Sequence, residues 1–175
     1  VTGAGGFIGQ NLMAALGRLP ELKTRALGRT HTPSELEQAL SSADFVFHLA
    51  GVNRPDNDEE FRTVNAELTE RICQLLQQKG KAVPVVLASS IQAGMDNPYG
   101  ISKRQAEDSV TAYNHACGAH AAIYRLKNVF GKWCRPNYNS VVATFCNNVA
   151  RDLPVTFSDP DHRLELLYID DAVAQ

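Results

Sequence analysis

Tyr99 and Lys103 stand four residues apart in the stretch ASSIQAGMDNPYGISKRQAE, directly after Pro98. Proline is favoured in the first turn of a helix, so a helix is expected to start here. Residues four apart then share one face of it. A phenol with a pKa near 10 is a poor acid or base at neutral pH. An ammonium beside it favours the phenolate, so Lys103 is expected to lower the pKa of Tyr99. Two hydroxyls, Ser89 and Ser90, close the apolar run that precedes this helix. Either could polarise the carbonyl oxygen that Tyr99 protonates. Such a set can perform proton transfer at a carbonyl that is being reduced, or at an alcohol that is being oxidised. The spacing Y-x-x-x-K also arises by chance. It gains weight from the serine pair before it and from the way the chain opens.

That opening is VTGAGGFIG. The pattern G-x-G-x-x-G would need a glycine where Ile8 stands, whereas Gly3, Gly6 and Gly9 fit G-x-x-G-x-x-G. A glycine turn between a strand and a helix presents free backbone N–H groups and the positive end of the helix dipole. A dinucleotide pyrophosphate suits that position, with Gly3, Gly6, Phe7, Ile8 and Gly9 around it. Only Val1 precedes the turn, so the strand that should lead into it is nearly absent. The second apolar run ends ALGRT, with no acid before Glu35. An acid there favours a free ribose hydroxyl, and an arginine favours a 2′-phosphate. Arg29 therefore points to NADPH/NADP, with NAD as the alternative if Arg29 is only a solvated surface residue.

These residues need a scaffold. Strand-like runs occur at Thr24–Leu27, Phe45–Leu49, Val83–Ala88 and Ala121–Leu126. Helical periodicity occupies Phe7–Leu19, Ser34–Leu40, Glu59–Gln78, Ser102–His115 and Val141–Arg151. Alternating strands and helices imply an α/β fold, a Rossmann-like doubly wound parallel sheet. Ligands bind such sheets at the carboxyl ends of the strands. The candidate chemistry falls there, in Gly3–Gly9, Gly28–Arg29, His48–Asn53 and Ser89–Ser90.

Composition narrows the function classes. The chain has 175 residues, 44% hydrophobic and 21% charged, with a formal net charge of −2. That suits one domain with a sizeable core. It argues against a general nucleic-acid or membrane binder. No apolar run approaches the ~20 residues of a membrane span, and the N-terminus lacks a signal-peptide pattern. Cys73, Cys117, Cys134 and Cys146 show no C-x-x-C spacing and no metal-ligand pattern with the histidines. Reduced thiols in a cytoplasmic protein, and no metal site, are expected.

The segments TGAGGFIG, FHLAG, VNAELT, SS, YGISK, RLKNVFG and YIDDAVA follow one another along essentially the whole chain. In that order they resemble the extended short-chain dehydrogenase/reductases, the epimerases, dehydratases and reductases of sugar nucleotides. HLAGVNRP, SSIQAGMDNPYGISK and NVFGKWCRPNYNSVVATFC are more specifically similar to the reductase domain of the CapF-type capsular polysaccharide enzymes. The resemblance implies that Tyr99 is the general acid and that Lys103 binds the nicotinamide ribose. It implies Ser90 as the catalytic serine, with Ser89 as the fallback. Asn65 matches a cofactor-contacting asparagine, though it could simply brace its helix. Leu49, Ala50 and Gly51 would line the cofactor cleft. Asn53, Arg54 and Asn128 would face the nucleotide sugar. So would Lys132, Trp133, Asn137, Asn139 and Ser140 of the following loop, where Trp133 could equally be a packing residue. Arg163 matches the family arginine near YIDD only approximately. The family's extra strand with an adenine-binding aspartate has no counterpart, and Lys127 stands where many relatives have proline.

A dehydratase of this family carries an acid and a base after its first hydroxyl residue. Ser90-Ile91-Gln92 has no carboxylate, so dehydration is not expected. The resemblance implies NADPH-dependent reduction of the C4 keto group of a UDP-2-acetamido-2,6-dideoxy-hexos-4-ulose, on the route to UDP-N-acetyl-L-fucosamine. A 4-epimerase that retains NAD, or a non-catalytic NADP(H)-binding domain, is the alternative. Residues 1–131 would form the NADP-binding domain and 132–175 the beginning of a sugar-nucleotide-binding region. A homodimer is expected. So is a larger parent enzyme with a C-terminal cupin domain, from which this piece alone would fold poorly.

Overall fold

The computed structural model describes residues 1–156, 159, 161 and 163–175. Three parallel strands carry the main sheet in the order β1 (Val46–His48), β2 (Val85–Ser90) and β3 (Ala121–Leu126). Val85 lies opposite Val46 on one side and Ala121 on the other. Parallel strands need crossover connections, and here helices supply them. The first helix is α1 (Phe7–Leu16), and α2 (Pro33–Ser42) precedes β1. A π-helical segment, Phe61–Glu67, runs directly into α3 (Leu68–Gln78), and α4 (Pro98–Cys117) joins β2 to β3. Right-handed crossovers place α1 on one face of the sheet and α2, α3 and α4 on the other. The doubly wound α/β architecture read from the sequence is the one observed.

The nearly absent first strand is present as a single ladder position. Thr2 bridges Leu27 on one side and His48 on the other, both in parallel. Its N–H donates to the Phe47 carbonyl at 2.9 Å, and the Leu27 N–H donates to the Val1 carbonyl at 2.9 Å. Thr2 thus sits between Leu27 and β1. The strand expected over Thr24–Leu27 is corrected to one bridged residue, Leu27, because the neighbouring ladder is only Val1 and Thr2.

Other boundaries moved for local reasons. The helix expected from Ser34 begins at Pro33, behind a capping box of Thr32 and Glu35. The helix expected to start at Pro98 does so, ahead of the periodic run Ser102–His115, and is capped by Asn97, whose side chain accepts the Gly100 N–H at 2.8 Å. The run expected as one helix over Glu59–Gln78 is split by the π-helical segment. Three-residue strands are too short to read from periodicity. β4 (Asn128–Phe130) and β5 (Leu166–Tyr168) pair in parallel as a second small sheet. Between them lies α5 (Val141–Val149), and α6 (Ile169–Ala174) follows β5 and packs on α1. The β4–β5 pairing ties the two sides of position 131 together.

The core lies between the sheet and α2, α3 and α4. Ile72, Leu76, Val83, Val85, Leu87 and Val110 are all buried there. Tyr113 closes it with a polar latch: its hydroxyl accepts from the Val83 N–H at 3.1 Å and donates to the Val83 carbonyl at 3.0 Å. Removing that hydroxyl leaves the buried Val83 carbonyl without its donor, while the Val83 N–H keeps the Lys81 carbonyl at 2.9 Å. Tyr113→Phe is therefore expected to lower the unfolding free energy by about 1–3 kcal/mol, read as a lower urea midpoint at unchanged helical circular dichroism.

Candidate functional site

Three segments end at the same carboxyl edge of the sheet: the turn after Thr2, the loop after β1 and the serine pair of β2. Gly3 has φ +66°, and a Cβ there would lie 2.6 Å from the Ala50 nitrogen. A Cβ on Gly9 would lie 2.2 Å from the Gly3 carbonyl oxygen. Both contacts lock the turn, α1 and the loop after β1 against each other. Side chains cap α2, α4 and α5, through Thr32, Asn97 and Ser140. For α1, no described side chain makes a cap, and its first turn holds no acid. Its leading N–H groups, at Phe7, Ile8 and Gly9, are thus left for an anion. These residues fit a dinucleotide pyrophosphate.

A buried polar chain sets the loop after β1. His48 is 1% exposed and lies between two threonines. Its Nδ1 is 2.6 Å from Thr2 Oγ1, and its Nε2 is 2.8 Å from Thr69 Oγ1. Thr69 donates its own proton to the Asn65 carbonyl at 2.6 Å, so it accepts from His48 Nε2–H. Thr2 then donates to Nδ1, and its oxygen accepts the Ala50 N–H at 3.3 Å. The neutral Nε2–H tautomer follows from this assignment of the network. Burial, and then the nearby charge of Lys103, push the His48 pKa down to about 3.

The Asn65 side chain continues the brace. Its Oδ1 accepts the Val52 N–H at 2.8 Å, and its Nδ2 donates to the Val52 carbonyl and to Ser102 Oγ, each at 3.0 Å. Ser102 in turn donates to the Tyr99 carbonyl at 2.8 Å. Asn65 thus links the loop after β1 to the first turn of α4.

The front of α4 carries Tyr99, half-buried, and Lys103, only 6% exposed. The Ser90 side chain lies near the Tyr99 hydroxyl and favours its ionised form. Lys103 Nζ donates to the Ala88 carbonyl at 3.0 Å and lies 5.9 Å from the Tyr99 ring centroid. A Cβ on Gly51 would lie 3.1 Å from that ammonium, which places Lys103 beside the loop after β1. Burial lowers the Lys103 pKa to about 8, opposed by the charge of Glu107. For Tyr99 the expected direction is corrected. Burial raises its pKa, and the Ser90 side chain only partly offsets that. Desolvation of the phenolate outweighs the ammonium across that separation.

The serine pair divides its work. Ser89 Oγ donates to the buried Glu107 carboxylate at 2.5 Å, whereas Ser90 is the one beside Tyr99. Arg29 is exposed, in the turn after Leu27. Glu35, the nearest acid in sequence, is occupied in the Thr32 capping box.

A cleft of about 440 Å³ is lined by Arg54, Asn137, Tyr138, Asn139, Ser140, Val141, Thr144, Phe145 and Thr156. It gathers four of the expected sugar-facing residues. Asn53, Asn128, Lys132, Trp133 and Arg163 lie outside its lining. Asn128 is in β4 and exposed, and Arg163 is exposed before β5. Lys132 pairs with Asp170 at 2.8 Å, and its carbonyl accepts from Asn11 Nδ2 at 3.1 Å. Trp133 and Asn137 hold φ values of 67° and 56°, a left-handed conformation that costs energy for residues other than glycine. Arg54 lies over the Tyr138 ring, 5.9 Å from its centroid. Sequence reasoning missed Thr69, Ser102, Glu107 and Arg125 as site residues, and placed His48 at the sheet edge without giving it a role. Only Glu107 left a readable trace, one helical turn beyond Lys103.

Together the fold and this edge define a class of α/β proteins that work with a nicotinamide dinucleotide. The chain belongs to the NAD dependent epimerase/dehydratase family, which it matches over residues 1–175. It is 47% identical, over 99% of its length, to a UDP-2-acetamido-2,6-beta-L-arabino-hexul-4-ose reductase of Pseudomonas aeruginosa. It superposes on the capsular polysaccharide assembling protein CapF of Staphylococcus aureus with a TM-score of 0.87, at 46% identity over 99% of the chain. It spans 46% of the Pseudomonas protein and 47% of the Staphylococcus one. A UDP-glucuronic acid 4-epimerase of Bacillus cereus, solved with NAD and UDP-glucuronic acid, shares the fold with a TM-score of 0.84 at 20% identity, over 98% of this chain and 69% of its own.

The histidine carries a pH signature. An unfolded His48 would take up a proton near pH 6.5 and the folded one only near 3, so stability falls as pH drops through that interval. Between pH 6.5 and 5 the wild type is expected to lose about 1.6 kcal/mol in all more than His48→Asn, measured by urea unfolding.

Proposed function

We propose that the chain is the reductase part of a nucleotide-sugar enzyme, which reduces the C4 keto group of a UDP-2-acetamido-2,6-dideoxy-hexos-4-ulose with NADPH. The observation that carries this reading is the cluster of Ser90, Tyr99 and Lys103 at the sheet edge, next to a glycine turn whose helix end is left open for an anion. The likeness to the Pseudomonas reductase supports the substrate class.

The bound cofactor would supply hydride to the carbonyl carbon. Tyr99 gives its proton to the oxygen as negative charge develops there. Its raised pKa keeps the phenol protonated at neutral pH, the form an acid needs in the reducing direction. Ser90 holds the same oxygen through its hydroxyl. Lys103 presents its ammonium beside Gly51 to the nicotinamide ribose. The arginine and amides of the cleft at Arg54 and Asn137–Ser140 suit the charged and hydroxylated groups of a UDP-sugar.

The test is NADPH oxidation on addition of the keto-sugar. Tyr99→Phe is expected to lower the rate by about 10²–10⁴-fold. A loss smaller than tenfold, or sugar interconversion without net NADPH oxidation, would overturn the assignment. Arg29 supports NADPH over NADH, because its guanidinium suits a 2′-phosphate and no free acid stands near it in sequence. Arg29→Ala is expected to raise KM for NADPH at least about tenfold while leaving KM for NADH within twofold, in steady-state kinetics with each cofactor.

A further inference from the structure

Glu107 continues the spacing that sets Tyr99 and Lys103, one turn further along the same face of α4. It is 7% exposed, yet it is not a stray buried charge. Arg125 donates to it from Nε at 3.0 Å and from Nη2 at 2.6 Å, and Ser89 donates from Oγ at 2.5 Å. Arg125 sits on β3 directly opposite Ser89 of β2, so the carboxylate spans a strand pair from above. Burial alone would raise the Glu107 pKa, but the bonds from Arg125 and Ser89 bring it below the usual carboxylate range. It is ionised at neutral pH.

Ser89 lies between Ala88, whose carbonyl receives Lys103 Nζ, and Ser90, whose side chain meets Tyr99. Fixing the Ser89 side chain therefore fixes the main chain on both sides of it. The same carboxylate stands one turn from a lysine that burial drives toward neutrality. Stability alone does not require an ion pair here, since a buried pair is often matched by apolar residues of similar volume.

We propose that Glu107 is a positioning residue of the Tyr99–Lys103 pair, holding the Lys103 ammonium charged and the end of β2 in register through Ser89, with Arg125 as its clamp. The proposal rests on the reading of Tyr99 and Lys103 as the acid and its cationic partner. The groups facing Lys103 are few. From α4 they are Tyr99 and Glu107; from β1, the neutral His48; from β2, the Ala88 carbonyl and the serine hydroxyls. The π-helical segment contributes the uncharged Asn65, and β3 contributes Arg125 through Glu107. Glu107 is the one anion of that set.

The experiment follows the Lys103 ammonium by NMR of ¹³Cε-lysine in the unligated protein. Lys103 is assigned by loss of its signal in Lys103→Met. Glu107→Gln is expected to lower its midpoint by about half a unit or more. Glu107→Asp, which restores the charge, is expected to recover most of that shift. Arg125→Gln changes a half-exposed side chain and so spares the core. It removes a competing cation and is expected to move the midpoint the other way, upward. An alkaline limb of kcat that moves with the midpoint completes the case. A midpoint unchanged in Glu107→Gln, or the same direction of shift in both variants, overturns the proposal. If Glu107→Gln does not fold, the sign of the shift in Arg125→Gln decides alone. The titration needs no turnover, so it stands or falls separately from the assigned reaction.

Discussion

A lysine ammonium with 6% exposure is costly, and the site is built around meeting that cost. Water is largely gone from Lys103, so its charge depends on the Ala88 carbonyl and on an ionised carboxylate one turn away. Both partners sit on different elements, β2 and α4, so the register between strand and helix cannot slide. Tyr99 comes with the register, because it lies one turn before Lys103 on the same face. Ser90 comes with it too, because it ends the strand that offers the carbonyl. The positions of Tyr99 and Ser90 are thus set by where one cation can be buried.

The loop after β1 obeys a different constraint. It meets the glycine turn so closely that Gly3 cannot carry a side chain. Its main chain is then held by side chains from two places in sequence, Thr2 and Asn65, with the His48 ring bracing Thr2. The result is a rigid floor between the pyrophosphate turn and Lys103. By contrast, the loop bearing Trp133 and Asn137 spends energy on left-handed backbone, and α5 behind it has no buried residue. The site combines a fixed edge at the glycine turn with a cleft edge that has far less core beneath it.

Much of this was readable before any coordinates. The glycine spacing, the Tyr99–Lys103 spacing and the alternation of apolar runs are local patterns, and they placed the sheet edge and the pair correctly. The choice between Ser89 and Ser90 was not local. Successive residues of a strand face opposite ways, and only the position of Glu107 shows which hydroxyl is taken. The direction of the Tyr99 pKa was misjudged because desolvation depends on burial, which spacing does not reveal. The strand expected at Thr24–Leu27 is only the Leu27 bridge, because apolar runs show where a strand can form but not which residues find a ladder partner. The π-helical turn bearing Asn65 reads as ordinary helix in the sequence, and the three-residue strands β4 and β5 are too short to show a period.

The polar chain through His48 has a single sense. It begins at an amide N–H, on Ala50, which can only donate, and it ends at the Asn65 carbonyl, which can only accept. Every hydroxyl and ring nitrogen between them is oriented by those two ends. A proton wire works only if its bonds can reverse, and these cannot. This chain is therefore no proton wire. In the proposed reduction, the proton that Tyr99 gives up is not replaced along it.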